Sequence, residues 1–453
     1  MTLNEVIKDK SRIYTGDNVP HDYLYDEYVG TAPSVHAVVL PINHDEVVAA
    51  VKYANDHDLK IIARGAGTGL SGATAPQFNE LIIDLSLMNR IHGLDEKTMT
   101  LTVEPGVLLH EIQEYVESRR FFYPPDPGSK NSSIGGNVAT NAGGMRAVKY
   151  GVTRNYVKEM TVVLATGETM VLGSLNVKSS SGYDLKDLFI GSEGTLGITT
   201  LIRLKVIPLP MHKLSYVLAF EDLQEATRTV AAILQEGIDP TSLEFFEREM
   251  IEISVKETGI AFPTEKGKSF LLMTIDGDSM DHIYARGARL ETVANAHGVV
   301  DFLTLESAQL ESDVWKLRDS LLSAVVNYTE QVTMDETVPI NHVATLYAYT
   351  KDLEAEYGVQ LMSFGHAGDG NLHTCVMRGN LDQATWDEKR HLILDKLYAK
   401  IAELGGLPSA EHGIGLIKKP YFEAMTAPVN LEAMRAIKNA FDPHHRLNPN
   451  KVL

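Results

Sequence analysis

Residues 61–76 read I-I-A-R-G-A-G-T-G-L-S-G-A-T-A-P, a short apolar run followed by a glycine-rich loop. Four glycines, Gly65, Gly67, Gly69 and Gly72, fall within eight residues. Glycine at this density indicates a backbone that turns through positive φ and lets a ligand approach closely. Successive amide N–H groups in such a turn form a concave anion site, which favours a phosphate. A solvent-exposed turn without a ligand is equally compatible with the loop alone.

The loop also contains a formal match to the dinucleotide fingerprint G-x-G-x-x-G, between Gly67 and Gly72. That fingerprint binds NAD where the glycines follow a strand and open a helix. Here residues 73–76 follow, and the next apolar run, Leu81 to Leu85, is typical of a strand. No amphipathic helix of useful length fits between them. The sequence therefore argues against Rossmann-type NAD binding and predicts a pyrophosphate site in a loop between strands.

Composition narrows the class of protein. The chain has 453 residues, which predicts two or three domains, and 44% hydrophobic residues, which is ordinary for a globular protein. The formal net charge of −19 argues against nucleic acid or an anionic membrane surface as the main partner. The single cysteine, Cys375, excludes disulfide frameworks and cysteine metal sites.

The sequence also bears on localisation. The first residues show no apolar signal-peptide core, and no apolar run approaches the roughly 20 residues that a membrane span needs. We therefore expect a soluble cytoplasmic protein without a transmembrane segment. Peripheral attachment to a membrane through a partner stays open.

The pattern along the chain predicts an α+β protein. A strand within 35–42, a helix capped at Asn43 and a strand over 60–63 form a compact β-α-β unit. After about residue 211, strands alternate with long helical stretches, which suggests an antiparallel sheet with helices on one face. The clearest helical stretches there are 223–235, 280–297 and 308–328. We expect an N-terminal lead-in (1–34), a first domain (35–211), a second domain (212–438) and a segment that returns to the first domain (439–453).

Two further glycine clusters lie in the first domain. Residues 123–144 carry five glycines among small hydroxyl and amide side chains, which suit close contact with a polar ligand. This region has too little charge for a disordered linker. The third cluster, L-F-I-G-S-E-G-T-L-G-I, covers residues 188–198.

A histidine pair in the second domain suggests a metal site. His366 and His373 stand seven residues apart in F-G-H-A-G-D-G-N-L-H, between runs typical of strands. Glu411 and His412 follow further along the chain, in E-H-G. Two imidazoles and a carboxylate with an open position form the ligand set of a catalytic zinc, manganese or iron site. For either histidine alone, a hydrogen-bonded histidine without a metal is the simpler interpretation.

Arg318 is a candidate for substrate binding. It stands in W-K-L-R-D, within a predicted helix. A planar guanidinium suits bidentate binding of a substrate carboxylate. On the pattern alone an ordinary arginine on a helix surface is the alternative, because most arginines are solvated.

Taken in order, these motifs resemble the FAD-linked oxidases of the vanillyl-alcohol oxidase superfamily. The resemblance rests on five segments: R-G-A-G-T-G-L-S-G, S-S-I-G-G-N-V-A-T-N-A-G-G, G-S-E-G-T-L-G, G-H-A-G-D-G-N-L-H and E-H-G-I-G. It spans residues 35–453 and is closest to the branch that holds FAD-linked D-lactate dehydrogenase, D-2-hydroxyglutarate dehydrogenase and the flavin subunit of glycolate oxidase. It implies an α+β fold with a two-subdomain PCMH-type FAD-binding domain. A C-terminal α+β cap (substrate) domain with an antiparallel sheet would follow.

The resemblance also implies site residues. Those expected to contact FAD are Arg64, Gly65, Ala66, Gly67, Thr68, Gly69, Leu70, Ser71, Gly72, Pro125, Asp126, Ser129, Ser132, Gly135, Gly136, Asn137, Thr140, Asn141, Gly144, Glu193, Gly194 and Ile198. The FAD is expected to be non-covalent, because the loop over 64–72 lacks the histidine or cysteine that tethers FAD in some families. His366, His373 and Glu411 would hold a divalent metal, usually zinc in relatives. His412 would be the general base, and Arg318 would bind the substrate carboxylate.

The implied activity is metal-assisted oxidation of a small D-2-hydroxyacid by hydride transfer to FAD. The hydroxyglutarate branch would have a lysine before the V-P turn and an asparagine two residues after the second histidine, where this chain has Thr333 and Cys375. Without these partners for a distal carboxylate, we expect D-lactate or glycolate as the substrate.

Several alternatives stay open. The chain resembles D-2-hydroxyglutarate dehydrogenase, the flavin subunit of a multi-subunit glycolate oxidase and, less closely, non-redox FAD enzymes of the alkylglycerone-phosphate synthase type. The electron acceptor could be a quinone, an electron-transfer flavoprotein, an iron–sulfur subunit or oxygen. The oligomeric state is equally open, with a homodimer among the alternatives.

Overall fold

The computed structural model describes residues 2–26 and 34–453. The strands, in chain order, are β1 (Ile13–Tyr14), β2 (Ala37–Val39), β3 (Ile61–Arg64), β4 (Leu81–Asp84), β5 (Ile91–Asp95), β6 (Thr100–Val103), β7 (Phe121–Phe122), β8 (Val157–Val163), β9 (Thr169–Gly173), β10 (Ile198–Lys205), β11 (Ile207–Pro208), β12 (His212–Phe220), β13 (Ser242–Glu247), β14 (Ser269–Gly277), β15 (Asp301–Leu305), β16 (Gln331–Thr333), β17 (Glu336–Thr337), β18 (Leu361–His366) and β19 (Asn371–Met377).

The α-helices, in chain order, are α1 (Leu3–Val6), α2 (His44–Asp56), α3 (Leu109–Glu117), α4 (Ile134–Thr140), α5 (Ala147–Tyr150), α6 (Leu185–Phe189), α7 (Leu223–Gln235), α8 (Arg248–Thr258), α9 (Met280–Ala296), α10 (Ala308–Asp319), α11 (Leu321–Tyr328), α12 (Val343–Tyr357), α13 (Gln383–Glu403), α14 (Lys419–Met425) and α15 (Pro428–Phe441). Among the described residues, none of these helices is both long and apolar enough to cross a membrane.

The chain forms two compact units. The first unit contains Met1–Gly143, Val152–Leu209 and Glu411–Leu453, and the second contains Gly144–Gly151 and Pro210–Ala410. The predicted domain limits stay a prediction, because compactness does not show that a segment folds independently. The predicted lead-in over 1–34 lies partly outside the described residues.

The first unit contains two main sheets, as the implied two-subdomain architecture requires. One sheet has the order β1-β2-β4-β3, in which β2, β4 and β3 run parallel. The other is antiparallel, with the order β5-β6-β10-β8-β9. The predicted β-α-β unit is present: α2 connects β2 to β3 and buries Val47, Ala50 and Val51 in a core that includes Ile61 and Leu81. The side chain of Asn43 caps α2, as expected, by accepting from the N–H of Glu46 at 2.9 Å.

The second unit is built on one antiparallel sheet with the strand order β15-β12-β14-β13-β18-β19-β16 and β17 paired to β19. The expected antiparallel sheet is therefore confirmed. Helices pack on both of its faces, which corrects the expectation of one face. Val217 of β12 faces an apolar cluster with α8, α10 and α11, whereas the neighbouring Tyr216 contacts Gly287 of α9. Side chains alternate along a strand, so consecutive residues meet helices on opposite faces.

Candidate cofactor and active site

The glycine loop connects β3 directly to β4, without an intervening helix. This confirms the prediction of a loop between strands in place of a Rossmann turn. Gly67 and Gly72 adopt φ values of +75° and +74°, which favour glycine. A Cβ added at Gly69 would meet no atom closer than Asp26 Oδ2, which would lie 3.9 Å away. The loop backbone can therefore be approached closely, which fits a bound pyrophosphate.

Four of the sequence motifs come together within the first unit. The N–H of Ala66 donates to Ser133 Oγ at 3.3 Å, which joins the glycine loop to the second cluster. The N–H of Glu193 donates to Ala139 O at 2.8 Å, which joins the second cluster to the third. The N–H of Leu416 donates to Ser71 O at 2.8 Å, which joins the E-H-G-I-G region to the loop. The chain thus gathers segments that are up to about 350 residues apart around one loop.

Glu193, which belongs to the third glycine cluster, holds the E-H-G-I-G segment in place. Its carboxylate accepts the N–H of Ile414 at 2.7 Å and the N–H of Gly415 at 2.9 Å. Burial raises the pKa of Glu193, while these two N–H donors and the nearby Lys418 act in the opposite direction. Gly413 passes close by, and an added Cβ there would lie 2.8 Å from the carboxyl carbon of Glu193.

Some predicted cofactor residues have clear structural roles. The Arg64 guanidinium donates to the carbonyls of Asp22 and Tyr25, so it ties the lead-in to the start of the loop. Gly135 lets α4 pack closely against the turn at Pro105, because an added Cβ would lie 2.6 Å from Pro105 Cβ. Asn141 ends α4 in the left-handed region, at φ +53°. These contacts do not test the FAD contacts expected of these residues, which stay predictions. The same holds for the other predicted FAD residues, among which Gly144 belongs to the second unit.

In the second unit, strand register brings a polar group to one end of an apolar sheet face. Three residues of that face, Phe246, Phe364 and Cys375, belong to the apolar cluster that α8, α10 and α11 cover. Two residues away on the same strands, and therefore on the same face, stand Glu244, His366 and His373. Glu244 lies opposite His366, and Phe364 lies opposite His373. The ring centroids of His366 and His373 are 5.5 Å apart. The structure therefore brings the two predicted metal-binding histidines together.

Arg318 joins this polar group from α10. It is 8% exposed, which excludes the alternative of a solvated surface arginine. Its Nε donates to Glu244 Oε2 at 2.9 Å, and its Nη2 donates to the same oxygen. Its Nη1 lies 3.8 Å from Asp319 Oδ1. Its predicted role in substrate binding stays a prediction.

Glu244 also binds His366. His366 Nδ1 lies 2.8 Å from Glu244 Oε1. Burial would raise the pKa of Glu244, but the charges and hydrogen bonds of Arg318 and His366 outweigh it and hold that pKa below its usual value. A carboxylate only accepts hydrogen bonds, so when the imidazole of His366 is neutral its proton is on Nδ1. The lone pair is then on Nε2, the arrangement that suits a metal ligand.

His373 has an acidic neighbour that the sequence analysis did not single out. Ligand atoms of His373 and Asp335 lie within 4.8 Å of each other. Asn371 Nδ2 donates to Asp335 Oδ1 at 3.2 Å, and Ser409 Oγ donates to Oδ2 at 2.6 Å. Buried imidazole and carboxylate donors are a set that a divalent metal accepts. His373 and Asp335 therefore offer donors that fit a metal ion, whereas His366 is not part of this group of ligand atoms.

Glu411 and His412 belong to the first unit. Glu411 Oε1 lies 3.9 Å from His412 Nε2, and the backbone carbonyl of His412 accepts from Ser71 Oγ at 3.2 Å. Their side chains are partly buried. The predicted roles of Glu411 as a metal ligand and of His412 as a base stay predictions.

The sequence analysis missed Glu244 and Asp335. Glu244 follows an apolar position in S-L-E-F-F-E, and a carboxylate at a core-facing position of a strand was the available signal. Asp335 precedes the V-P turn by three residues and stands two residues after Thr333. Both signals depend on knowing which strands pair, because each partner lies far away in the chain.

The two positions expected to hold a distal carboxylate are direct neighbours. Thr333 of β16 pairs with Cys375 of β19, and their Oγ1 and Sγ atoms are 3.4 Å apart. Cys375 is fully buried, and burial raises the pKa of its thiol to about 12. Neither side chain carries a positive charge.

Comparisons with known proteins agree with this architecture. Residues 35–173 match the FAD binding domain family, and residues 209–452 match the family of FAD linked oxidases, C-terminal domain. The fold is similar to that of p-cresol methylhydroxylase with substrate bound, at a TM-score of 0.82 and 17% identity over 99% of this chain and 96% of that one. The implied PCMH-type FAD-binding fold is confirmed.

Several relatives match nearly the whole chain. A D-lactate dehydrogenase of Anaerostipes hadrus is 40% identical over 97% of this chain and 94% of its own length. The glycolate oxidase subunit GlcD of Bacillus subtilis is 37% identical over 95% of this chain and 91% of its own length. The FAD domain, the C-terminal domain and these full-length relatives lead to one conclusion. The chain belongs to the FAD-linked oxidases and is an FAD-linked oxidoreductase.

Proposed function

We propose that the chain oxidises a small D-2-hydroxyacid, D-lactate or glycolate, to the 2-oxoacid, with non-covalent FAD and a divalent metal. The observation that carries this proposal is the buried group of Arg318, His366 and His373 at one end of a sheet face. A buried guanidinium beside two imidazoles suits an anionic, hydroxylated substrate. The names of two relatives that match nearly the whole chain, D-lactate dehydrogenase and glycolate oxidase subunit, support the substrate class.

The chain's own residues have these proposed roles. Arg318 binds the substrate carboxylate and so orients the α-carbon. His412, as a neutral imidazole, takes the proton from the α-hydroxyl. His366, His373 and Glu411 would hold the metal, zinc in preference to manganese or iron, which lowers the pKa of a bound hydroxyl. FAD, when bound, supplies the acceptor for the hydride that leaves the α-carbon.

Non-covalent FAD is supported by the position of the only cysteine. Cys375 lies in the apolar cluster of the second unit, and burial raises its thiol pKa to about 12. A thiol that stays protonated is a poor nucleophile. The glycine loop over 64–72 has no histidine either. Denaturing the protein in acid and separating it from flavin should leave all of the FAD in the supernatant; flavin that stayed with the chain would contradict this part of the proposal.

A short substrate is supported by the pairing of Thr333 with Cys375. A second carboxylate would need a cationic or amide partner, and a buried carboxylate without one is costly. We therefore propose D-lactate or glycolate ahead of D-2-hydroxyglutarate. The D-2-hydroxyglutarate dehydrogenase reading remains the alternative within the same chemistry.

The test is anaerobic stopped-flow mixing of the FAD-loaded chain with D-lactate, L-lactate, glycolate and D-2-hydroxyglutarate, with and without a chelator. The proposal predicts that a short D-2-hydroxyacid or glycolate bleaches the flavin band. The chelator should abolish bleaching, and added zinc or manganese should restore it. Faster bleaching by D-2-hydroxyglutarate would contradict the substrate assignment, and bleaching that no chelator affects would contradict the metal.

A second candidate is a flavin subunit that works only with partner subunits. The relative named as glycolate oxidase subunit favours it. In that case the isolated chain would bind FAD but turn over poorly, even with an artificial electron acceptor. Steady-state turnover of the purified chain with such an acceptor separates the two candidates. The natural acceptor would then be a quinone, an electron-transfer flavoprotein or an iron–sulfur subunit.

A further inference from the structure

One buried carboxylate holds two of the residues that the proposed function uses. Glu244 is fully buried, and Arg318 and His366 are 8% and 6% exposed. Arg318 Nε and Nη2 bind Glu244 Oε2, and His366 Nδ1 lies 2.8 Å from Oε1 and 2.9 Å from Oε2. One side chain on β13 therefore fixes a residue on α10 and a residue on β18.

This arrangement contributes little to the stability of the fold. Taking each of these charges out of water costs several kcal/mol, and buried ion pairs are often no more stabilising than apolar side chains of similar volume. The adjacent positions on the same face, Phe246 and Phe364, are apolar. Apolar residues at the three polar positions would simply have extended that core. The buried charges therefore indicate a role other than stability.

The geometry gives Glu244 two effects. It accepts from two N–H groups on one edge of the Arg318 guanidinium, which limits rotation of that planar group. It accepts from Nδ1 of His366, which fixes the tautomer with the lone pair on Nε2. A carboxylate bound to the far nitrogen of a histidine is the arrangement that orients metal-binding histidines.

We infer that Glu244 is a positioning residue that aligns Arg318 for a substrate carboxylate and His366 for a metal. This inference rests on the function proposed above. It adds a residue that touches neither substrate nor metal and that acts through two others.

The test replaces Glu244 by Gln, which keeps the shape and removes the charge. The amide oxygen can accept from Arg318, but the amide NH2 then meets Nδ1 of His366. The amide NH2 therefore favours the imidazole tautomer with its proton on Nε2, which lacks the lone pair that would bind a metal. The E244Q variant should therefore bind zinc about 10–100-fold more weakly, measured by competition with a chelating indicator. The KM for the hydroxyacid should rise about tenfold or more, because misplacement of a binding group by about 1 Å can cost on the order of 100-fold.

Glu247 provides a matched control on the same strand. It is also buried, and it binds the N–H of Ser363 at 2.7 Å, Lys351 Nζ at 2.9 Å and Tyr347 Oη at 3.0 Å. Glu247→Gln therefore removes an equivalent buried charge away from Arg318 and His366. It should lower the thermal unfolding midpoint but leave zinc affinity and KM close to those of the wild type. Both variants should retain FAD, because neither residue is among the predicted FAD contacts.

The outcomes separate this inference from the proposed function. Equal losses of zinc affinity in E244Q and E247Q, or unchanged zinc affinity and KM in E244Q, would overturn the inference. If the wild-type chain binds no zinc, the part of the inference in which Glu244 aligns His366 for a metal is overturned. If the wild type binds zinc but no hydroxyacid reduces the flavin, the proposed function fails, while the zinc measurement still decides the role of Glu244. Glu244→Asp keeps the charge and should restore zinc affinity in part.

Discussion

The contact between Gly413 and Glu193 allows a quantitative test of how the first unit is held together. Gly413 has φ +82°, and an added Cβ would lie 2.8 Å from the carboxyl carbon of Glu193. That carboxylate cannot move away freely, since it binds the N–H groups of Ile414 and Gly415 at 2.7 and 2.9 Å. Gly413→Ala must therefore either move Glu193 or move the segment that it holds.

The expected cost has two parts. An alanine in the left-handed region costs about 1–2 kcal/mol. Loss of one hydrogen bond to the buried Glu193 carboxylate adds about 1.5–3 kcal/mol. Gly182→Ala is the matched control, because Gly182 has φ +90° in the same unit and an added Cβ would meet nothing within 4 Å. It carries the backbone cost alone, so G413A should be about 2 kcal/mol less stable than G182A.

Thermal unfolding of the two FAD-loaded variants provides the measurement. A difference of about 2 kcal/mol corresponds to a midpoint about 2–4 °C lower for G413A than for G182A. Since the displaced segment also binds the glycine loop through Ser71, G413A should retain less FAD as well. Equal midpoints for the two variants would refute the reasoning, because they would show that Glu193 and its segment adapt without cost.

Three further predictions concern other parts of the chain. Burial lowers the pKa of Lys451 to about 8, while the charges of Glu80 and Asp26 act in the opposite direction. As the pH rises, the folded state therefore loses this proton before the unfolded chain does, and the free energy of unfolding of the wild type should rise by roughly 3 kcal/mol between pH 8 and pH 10.5. K451M should lack that gain in urea unfolding at the two pH values, and parallel pH dependences would contradict it. Gly65→Ala should lower the flavin-to-protein absorbance ratio, because the added Cβ would collide with Ser133 Oγ. The control Gly128→Ala should leave the ratio unchanged, because its Cβ would meet nothing within 4 Å; equal ratios for the two variants would count against the packing of the loop. Cys375, whose thiol pKa is about 12, should react with iodoacetamide at pH 8 on the order of 1,000-fold more slowly in the native chain than in urea, and rapid native labelling would show that the second core opens.

The glycine loop could be predicted because its signals are local. An apolar run, four glycines and a second apolar run lie within 25 residues, and they specify strand, loop and strand without long-range information. The strands that the sequence suggested near residues 35–42 and 60–63 are present as β2 and β3, with ends shifted by one to three residues. Strand ends depend on which partner groups are available, and the local pattern does not contain that information.

The second unit shows where local patterns fail. The stretch 308–328 was expected to be one helix, but α10 ends at Asp319 and α11 begins at Leu321. Ser320 stands at the break, where its Oγ donates to Leu317 O at 2.9 Å and contacts Ser254 Oγ on α8. The apolar period continues through the break, and the contact with α8 comes from a residue 66 positions away. Tertiary contacts therefore override the helical pattern.

The polar group around Glu244 could not be assembled from sequence for the same reason. The histidines were recognised from their spacing, but the pairing of Glu244 with His366 joins residues 122 positions apart. Register between β13 and β18 decides whether Glu244 faces His366 or the opposite side of the sheet, since a shift of one residue reverses every side chain. Arg318 was singled out for its chemistry, and only its burial shows that it is not an ordinary surface arginine.

The most direct test of the proposed activity is the product formed when the flavin is reduced. The FAD-loaded chain would be mixed anaerobically with D-lactate in the presence of zinc, and the bleached flavin and the pyruvate formed would be measured in the same sample. The account predicts one equivalent of pyruvate for each FAD reduced and no reaction with L-lactate. Glycolate, which has no chiral centre, should give glyoxylate in the same ratio if it is the substrate. The proposed function would be contradicted if the flavin stayed oxidised with both D-lactate and glycolate. It would also be contradicted if the flavin were reduced without formation of a 2-oxoacid.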